Sequence, residues 1–293
     1  MHQNVEYKIQ IAESFEREGK LLHALQIYYI LLKNKHHKKT AVIKLADIFQ
    51  KFGKIEKAII LFEDYLFENL DIEMQKYFAH YLIKNEKYEK ALEVLEYISK
   101  ESNPEIYFLN GLANYKLHDY EISKINFNEF IRKNKRSDLL PEAYLFLSKS
   151  YRHLKNYDLA LENAKLSELI WNRNFELYLN LAKIYFHKEM YLHAFEAISK
   201  AIKINSSEFR LYKWAGKILY FMGEFEKAED YLKTFINESD AVQDSEIYSL
   251  LGGTCLKNKK YNEARDYFEL SLQLDPENES ALKGKLESGK SAS

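Results

Sequence analysis

A small side chain returns along this chain at a nearly fixed interval, and that recurrence limits the fold more than any other feature. Ala24, Ala58, Ala91, Ser123, Ala160, Ala194, Ala228 and Ala264 follow one another at spacings of 34, 33, 32, 37, 34, 34 and 36 residues. Twelve residues before each stands a second small residue: Ala12, Ala46, Ala79, Gly111, Ser148, Ala182, Gly216 and Gly252. Paired small residues are what two helices need where they cross closely, because a bulky side chain there holds the backbones apart. A period of this length marks a stack of helix pairs that bury their apolar faces on one another. Counting back nineteen residues from each anchor places the units at 5, 39, 72, 104, 141, 175, 209 and 245.

Within 175–208, Tyr178, Leu181, Ala182, Tyr185, Tyr191, Ala194, Ile198 and Ala201 recur at helical steps. Thirty-four residues on, Tyr212, Ala215, Gly216, Leu219, Phe225, Ala228, Leu232 and Phe235 take the same places. This order of large and small residues resembles the tetratricopeptide repeat (TPR). The resemblance implies an all-α solenoid, a right-handed superhelix of antiparallel helix pairs. Eight tandem units over 5–278 are expected, each with a helix A and a helix B. From Glu279 a ninth helix begins, with Leu282 and Leu286, and a short cap with a disordered tail is expected over 279–293. Helix B opens on an aromatic in most units (Tyr88, Tyr120, Tyr157, Tyr191, Phe225, Tyr261), and on Leu21 and Ile55 in the first two.

Two joints carry extra residues: a basic stretch at 132–136 and an acidic, loop-like one from Asn237 to Asp244. The fourth unit departs most, with Asn110 and Asn114 where large apolar residues are usual. Local hydrogen bonding by these asparagines and a flexible joint are both open readings.

Composition narrows the function classes. Lys+Arg of 43 against Asp+Glu of 44 gives no global pull toward nucleic acid or an anionic membrane. A single cysteine, Cys255, excludes an internal disulfide framework and favours a reducing compartment. With no apolar run long enough to span a bilayer and no leader-like start, a cytoplasmic protein without membrane insertion is expected.

Signals for chemistry are weak. Residues 284–291 satisfy the phosphate-loop spacing GxxxxGK[ST], but a strand must lead into that loop and a helix must follow it, and neither is indicated. His36 and His37, and the aligned His153 and His187, lack further ligands at metal spacing, and Cys255 reads as a buried small hydrophobe. No catalytic residue, cofactor or metal is expected. A non-enzymatic scaffold is the reading, with a nucleotide-binding enzyme as the alternative of another class.

In TPR proteins the A helices line a concave groove, and the resemblance implies a peptide site there. The groove stripe is expected to hold Leu145, Lys149 and Arg152, then Leu179, Lys183 and Phe186, then Lys213, Lys217 and Tyr220, flanked by Phe146 and Trp214. Lys149, Lys183 and Lys217 form a ladder, each one repeat beyond the last. Glu13 and Asp47 occupy the same place in the first two units. Such a ladder with interleaved aromatics suits an extended acidic peptide or a chain-terminal carboxylate, and ordinary solvated lysines are the alternative. Charge of opposite sign at the two ends would also permit head-to-tail self-association into a homo-oligomer. One TPR subgroup clamps the acidic tails of heat-shock chaperones through asparagines on helix A. The matching places are Glu13, Asp47, His80, Leu112, Lys149, Lys183, Lys217 and Gly253, so that assignment is not supported.

Overall fold

A computed structural model describes residues 2–100, 102–238 and 244–291. Among them are seventeen α-helices and no strand. They fall into two compact units, residues 1–133 and 134–293. The first holds α1 (His2–Arg17), α2 (Leu21–Leu31), α3 (Lys38–Lys51), α4 (Ile55–Glu68), α5 (Ile72–Lys84), α6 (Tyr88–Glu96), α7 (Glu105–Lys116) and α8 (Tyr120–Lys133). The second holds α9 (Leu140–His153), α10 (Tyr157–Ile170), α11 (Phe175–His187), α12 (Tyr191–Ile204), α13 (Arg210–Met222), α14 (Phe225–Glu238), α15 (Ser245–Lys257), α16 (Tyr261–Leu274) and α17 (Glu279–Ser291). In each unit a helix packs on its sequence neighbour; α5 also touches α7 in the first, and α9, α11, α13, α15 and α17 touch in succession in the second.

The turn inside every pair is built the same way. Gly19, Gly53, Glu86, His118, Lys155, Glu189, Gly223 and Lys259 all have positive φ, two residues before the second helix starts. The next amide then donates to a carbonyl five residues back, as Lys54 N does to Phe49 O and Met190 N to Tyr185 O. That closes the orphaned end of the first helix and reverses the chain. Only three of these eight positions are glycine, so five side chains are held in the left-handed region at a cost of about 1 kcal/mol each.

The small residues mark the helix crossings. A Cβ added at Gly216 would lie 2.5 Å from Leu232 Cγ, and one at Gly252 would lie 2.7 Å from the Phe268 ring. Where serine replaces alanine or glycine, its hydroxyl bonds across the crossing: Ser123 Oγ donates to Gly111 O (2.9 Å) and Ser148 Oγ to Ala160 O (2.6 Å). A small polar residue is thereby satisfied without water.

Asn110 Nδ2 donates to Ile106 O (3.0 Å) and Asn114 Nδ2 to Asn110 O (2.8 Å), so the buried asparagines of α7 satisfy themselves on their own helix. The shorter spacing in the third pair comes from α6, nine residues long where α4 and α8 have fourteen. Of the acidic joint, α14 runs through Glu238 and Asp244 caps α15 by accepting from Ile247 N (3.3 Å); the rest lies outside the described residues.

The C-terminal segment forms a helix of thirteen residues. Helix α17 continues through Ser291, packed on α15 and α16. Gly284 lets it approach α16 closely: a Cβ at Gly284 would lie 2.1 Å from Phe268 Cζ. Residues 292–293 of the anticipated tail lie outside the described residues.

Candidate functional site

Three successive A helices of the second unit, α9, α11 and α13, bring the lysine ladder together with its aromatics. Lys183 Nζ lies 5.0 Å from the centroid of the Trp214 ring. Lys217 Nζ lies 5.4 Å from the same ring and 5.5 Å from that of Phe186. Phe186 meets Trp214 edge-on at 5.7 Å and Phe221 at 5.1 Å. On the preceding helix, Lys149 Nζ sits 5.1 Å from Phe146. Rings that present their negative faces to ammonium groups hold the cations in a partly dry setting.

The ladder is not a bare positive stripe. Lys149 pairs with Glu176 (3.2 Å), Lys213 with Asp244 (2.5 Å) and Glu246 (3.8 Å), and Lys217 with Glu246 (2.5 Å). Each carboxylate stands at or just before the start of the next A helix, so these pairs tie one repeat to the next. Glu176 is also met by Arg210 (2.9 Å). Burial pushes the Glu176 carboxyl upward, but Lys149 and Arg210 outweigh it and hold it below its usual range. With side chains 14%, 24% and 22% exposed, Lys149, Lys213 and Lys217 are engaged rather than freely solvated. Leu145 and Leu179, expected on the stripe, are each 3% exposed and belong to the core, because that side of the A helix packs on the rest of the stack.

Arg152 is held by a relay. Its Nε donates to Asn180 Oδ1 (2.9 Å), and Asn180 Nδ2 donates to Ser148 Oγ (2.7 Å), which is anchored on Ala160 O. Asn180 is buried, so the guanidinium is fixed by a side chain that itself cannot move. The Tyr220 hydroxyl reaches the same row one repeat on, where it would lie 3.1 Å from a Cβ at Gly253.

Lys183 differs from its neighbours. No carboxylate lies within 4.0 Å of its ammonium among the described residues, whereas each of the other ladder lysines has one. Burial drives its pKa down to about 8, and Arg152, Lys149 and Arg210 add to the fall, with Glu176 the opposing charge. A half-buried cation beside other cations is an electrostatic vacancy for an anion.

The tetratricopeptide repeat family model matches residues 175–208, and a second tetratricopeptide repeat model matches 245–278. The chain is a tetratricopeptide repeat protein. A TPR repeat-containing protein of Methanocaldococcus jannaschii is 27% identical over 284 residues, covering 92% of this chain and 47% of that one. The chain thus spans about half the length of this curated relative. Among solved structures, the APC/C hetero-tetramer Cut9-Hcn1 is similar with a TM-score of 0.67 at 15% identity, over 91% of this chain and 52% of that one. PilF of Pseudomonas aeruginosa gives 0.63 at 13%, over 73% and 96%. YrrB, a TPR protein with an unusual peptide-binding site, gives 0.54 at 15%, over 64% and 95%. At these identities the likeness is one of fold. The architecture of this TPR protein is that of a protein-interaction scaffold, and no described helix is long and apolar enough to cross a membrane.

Two further places bear on chemistry in the TPR protein. Glu229, Cys255 and Glu263 bring ligand atoms within 4.8 Å of one another, a cluster that sequence spacing did not reveal. Glu229 is already engaged by Lys233 (2.7 Å), Lys260 (2.7 Å) and Asn258 (2.7 Å), and the Cys255 thiol is pushed up to about 11 by burial and then by the two glutamates. That is the electrostatics of a buried ion-pair node. The phosphate-loop spacing at 284–291 lies inside α17, and Gly284 serves the contact with Phe268, so the stretch is not a loop. The side chains of Lys290 and Ser291 lie outside the described residues. His187 stacks on Tyr157 at 5.1 Å, and His153 lies 3.1 Å from Arg152 Nη2.

Several residues of the site are absent from the stripe read off the sequence: Glu176, Asn180, Arg210, Phe221 and Glu246. A signal for the acidic ones exists, since Lys149 to Glu176, Lys217 to Glu246 and, in the first unit, Lys76 to Glu105 are all spaced 27–29 residues apart.

Proposed function

We propose that this TPR protein is a non-enzymatic scaffold whose second unit binds an extended segment of a partner protein along α9, α11 and α13. A carboxylate of that segment, from an acidic side chain or a chain terminus, pairs with Lys183. The observation that carries the reading is Lys183 itself: a half-buried ammonium against Trp214 with no carboxylate of its own. Holding it there costs about 1–3 kcal/mol, which an incoming carboxylate recovers. Arg152, fixed through Asn180, adds an ordered donor one helix away. Lys149, Lys213 and Lys217 act chiefly as repeat-to-repeat ties, and Phe186 and Trp214 supply the apolar wall.

The test uses Trp214 fluorescence in a Trp171→Phe background, titrated with short acidic peptides carrying either a free or an amidated C-terminus. Wild-type Lys183 should give a saturable response that weakens as pH rises through about 8, where the lysine loses its proton. Lys183→Met should abolish the response while the protein stays folded. Equal binding by both proteins would overturn the assignment. The free and amidated peptides distinguish a terminal from a side-chain carboxylate.

A further inference from the structure

The first unit carries an apolar ridge that its own fold leaves uncovered. Helices α2, α4 and α6 are its first three B helices, and they begin at equivalent places in their repeats. Yet α4 has fourteen residues, against eleven in α2 and nine in α6. The last turn of α4 therefore has a shorter helix on either flank, by roughly 4–8 Å at the helical rise. Phe67 lies on that turn and is 94% exposed; Leu70 just beyond is 97% exposed and Tyr97, after α6, is 84% exposed.

A cavity of about 450 Å³ opens on the α2 side of Phe67, floored by Val42, and another of about 440 Å³ opens on the α6 side, floored by Phe78. Phe67 lines both. The rim is acidic. Lys38 pairs with Glu68, and Lys90 with Glu63 (2.6 Å). Asp64, Glu93 and Glu96 also line these cavities, and none has a cation within 4.0 Å among the described residues. Exposed aromatic surface of this kind, ringed by unbalanced charge, marks an interaction site.

We propose that this ridge docks an amphipathic, basic helix of a partner protein, laid across the end of α4. Adjacent packed helices lie about 8–10 Å apart, so cavities on the two flanks of α4 are separated by about that distance. Residues i and i+7 of a helix are about 10.5 Å apart along its axis, which lets two apolar anchors enter the two cavities together. Small residues at i+3 and i+4 leave room for Phe67 between them. Lysine or arginine beside the anchor in the second cavity faces Glu93 and Glu96, which sets the sign of the partner. This surface lies wholly in the first unit and is independent of Lys183.

The probe is an end-labelled, four-turn peptide with leucines at i and i+7, alanines at i+3 and i+4 and lysines elsewhere, read by fluorescence anisotropy on the full chain. A scrambled peptide of the same composition and a glutamate-for-lysine version are the controls. The ordered basic peptide should bind at least about ten-fold more tightly than either control. Phe67→Ser, at an exposed position and so without harm to the fold, should weaken it by at least about ten-fold. Glu93→Lys with Glu96→Lys should do likewise and raise affinity for the glutamate version. Equal binding of ordered and scrambled peptides, or indifference to Phe67→Ser and to the charge reversal, would overturn the proposal. So would concentration-dependent self-association of the wild type that Phe67→Ser abolishes, since the occupant would then be a second copy.

Discussion

Asp47 of the first unit and Lys183 of the second occupy the same place in their repeats, next to the small residue of helix A, and both carry a charge drawn partly out of water. Burial raises the Asp47 carboxyl and lowers the Lys183 ammonium, the expected opposite signs. The difference lies in what answers each charge. Asp47 has the Tyr77 hydroxyl at 3.4 Å, and Lys44 and Lys84 help to offset its burial. Tyr77 and Tyr81 are in turn pushed up to about 12, by burial first and then by Asp47. Lys183 has the face of Trp214 and the more distant charge of Glu176, with no carboxylate within 4.0 Å among the described residues. One framework position can thus hold a charge that the fold supports or one it leaves open, and the open one is where a ligand is expected.

The contrast between supported and open charge is tested most severely at Glu229, whose side chain is 5% exposed and meets three donors. Burial raises its pKa, but bonds from Lys233, Lys260 and Asn258 outweigh it and bring it from 4.5 to about 2. Glu229→Ala should cost about 3 kcal/mol in chemical denaturation, because Lys260 and Asn258 lose this acceptor and Lys233 keeps only Glu263. The folded pKa lies below the unfolded one. The contribution of Glu229 is therefore full above about pH 4.5 and is lost as pH falls toward 2, a limb the variant should lack.

Helix crossings, common to both units, give the next effect. Gly216→Ala puts a methyl 2.5 Å from Leu232 and 3.2 Å from the Ala228 carbonyl, whereas at Gly111 the nearest atom is the Phe127 ring at 3.0 Å. We expect a loss of about 2 kcal/mol at Gly216, and less than half that at Gly111, where better helix propensity offsets the contact. Thermal melts of the two variants decide it.

Lys183→Met should stabilise the protein at neutral pH by about 1 kcal/mol, the reverse of what removing a paired lysine does. Its folded pKa of about 8 lies below the unfolded value of 10.5, so wild-type stability from this group rises with pH across that window. In the variant that rise should disappear. A destabilised Lys183→Met would mean the lysine is a structural tie like Lys217. The smallest effect is expected at the turns: Glu189→Gly should add about 0.5–1 kcal/mol by relieving a φ of 58°, while Gly53→Ala, the same place in the first unit, should lose a similar amount.

How far the sequence reads is shown by particular residues. Ser123 and Ser148 could be placed at crossings by position alone, since close approach demands a small side chain whatever its polarity. Their bonds across the crossing, to Gly111 and Ala160, could not, because the direction of a hydroxyl depends on the partner helix. Lys149, Lys183 and Lys217 could be set one repeat apart, and Phe186 and Trp214 beside them. That Lys149 and Lys217 are neutralised while Lys183 is not depends on Glu176 and Glu246, which come from the following repeat. Leu145 and Leu179 were misplaced for a related reason: a stripe drawn on one helix ignores the neighbours that bury its edge.

The chain's own pattern determines that it is a stack of antiparallel helices, where each pair turns and which residues allow the helices to touch. These follow from steric size and helical period, which are local and repeat with the sequence. The tertiary structure alone decides which charges are answered and which stay open, and that the last turn of α4 stands uncovered. Coulomb energy and burial depend on distances between residues some thirty positions apart, and those distances exist only once the repeats are stacked.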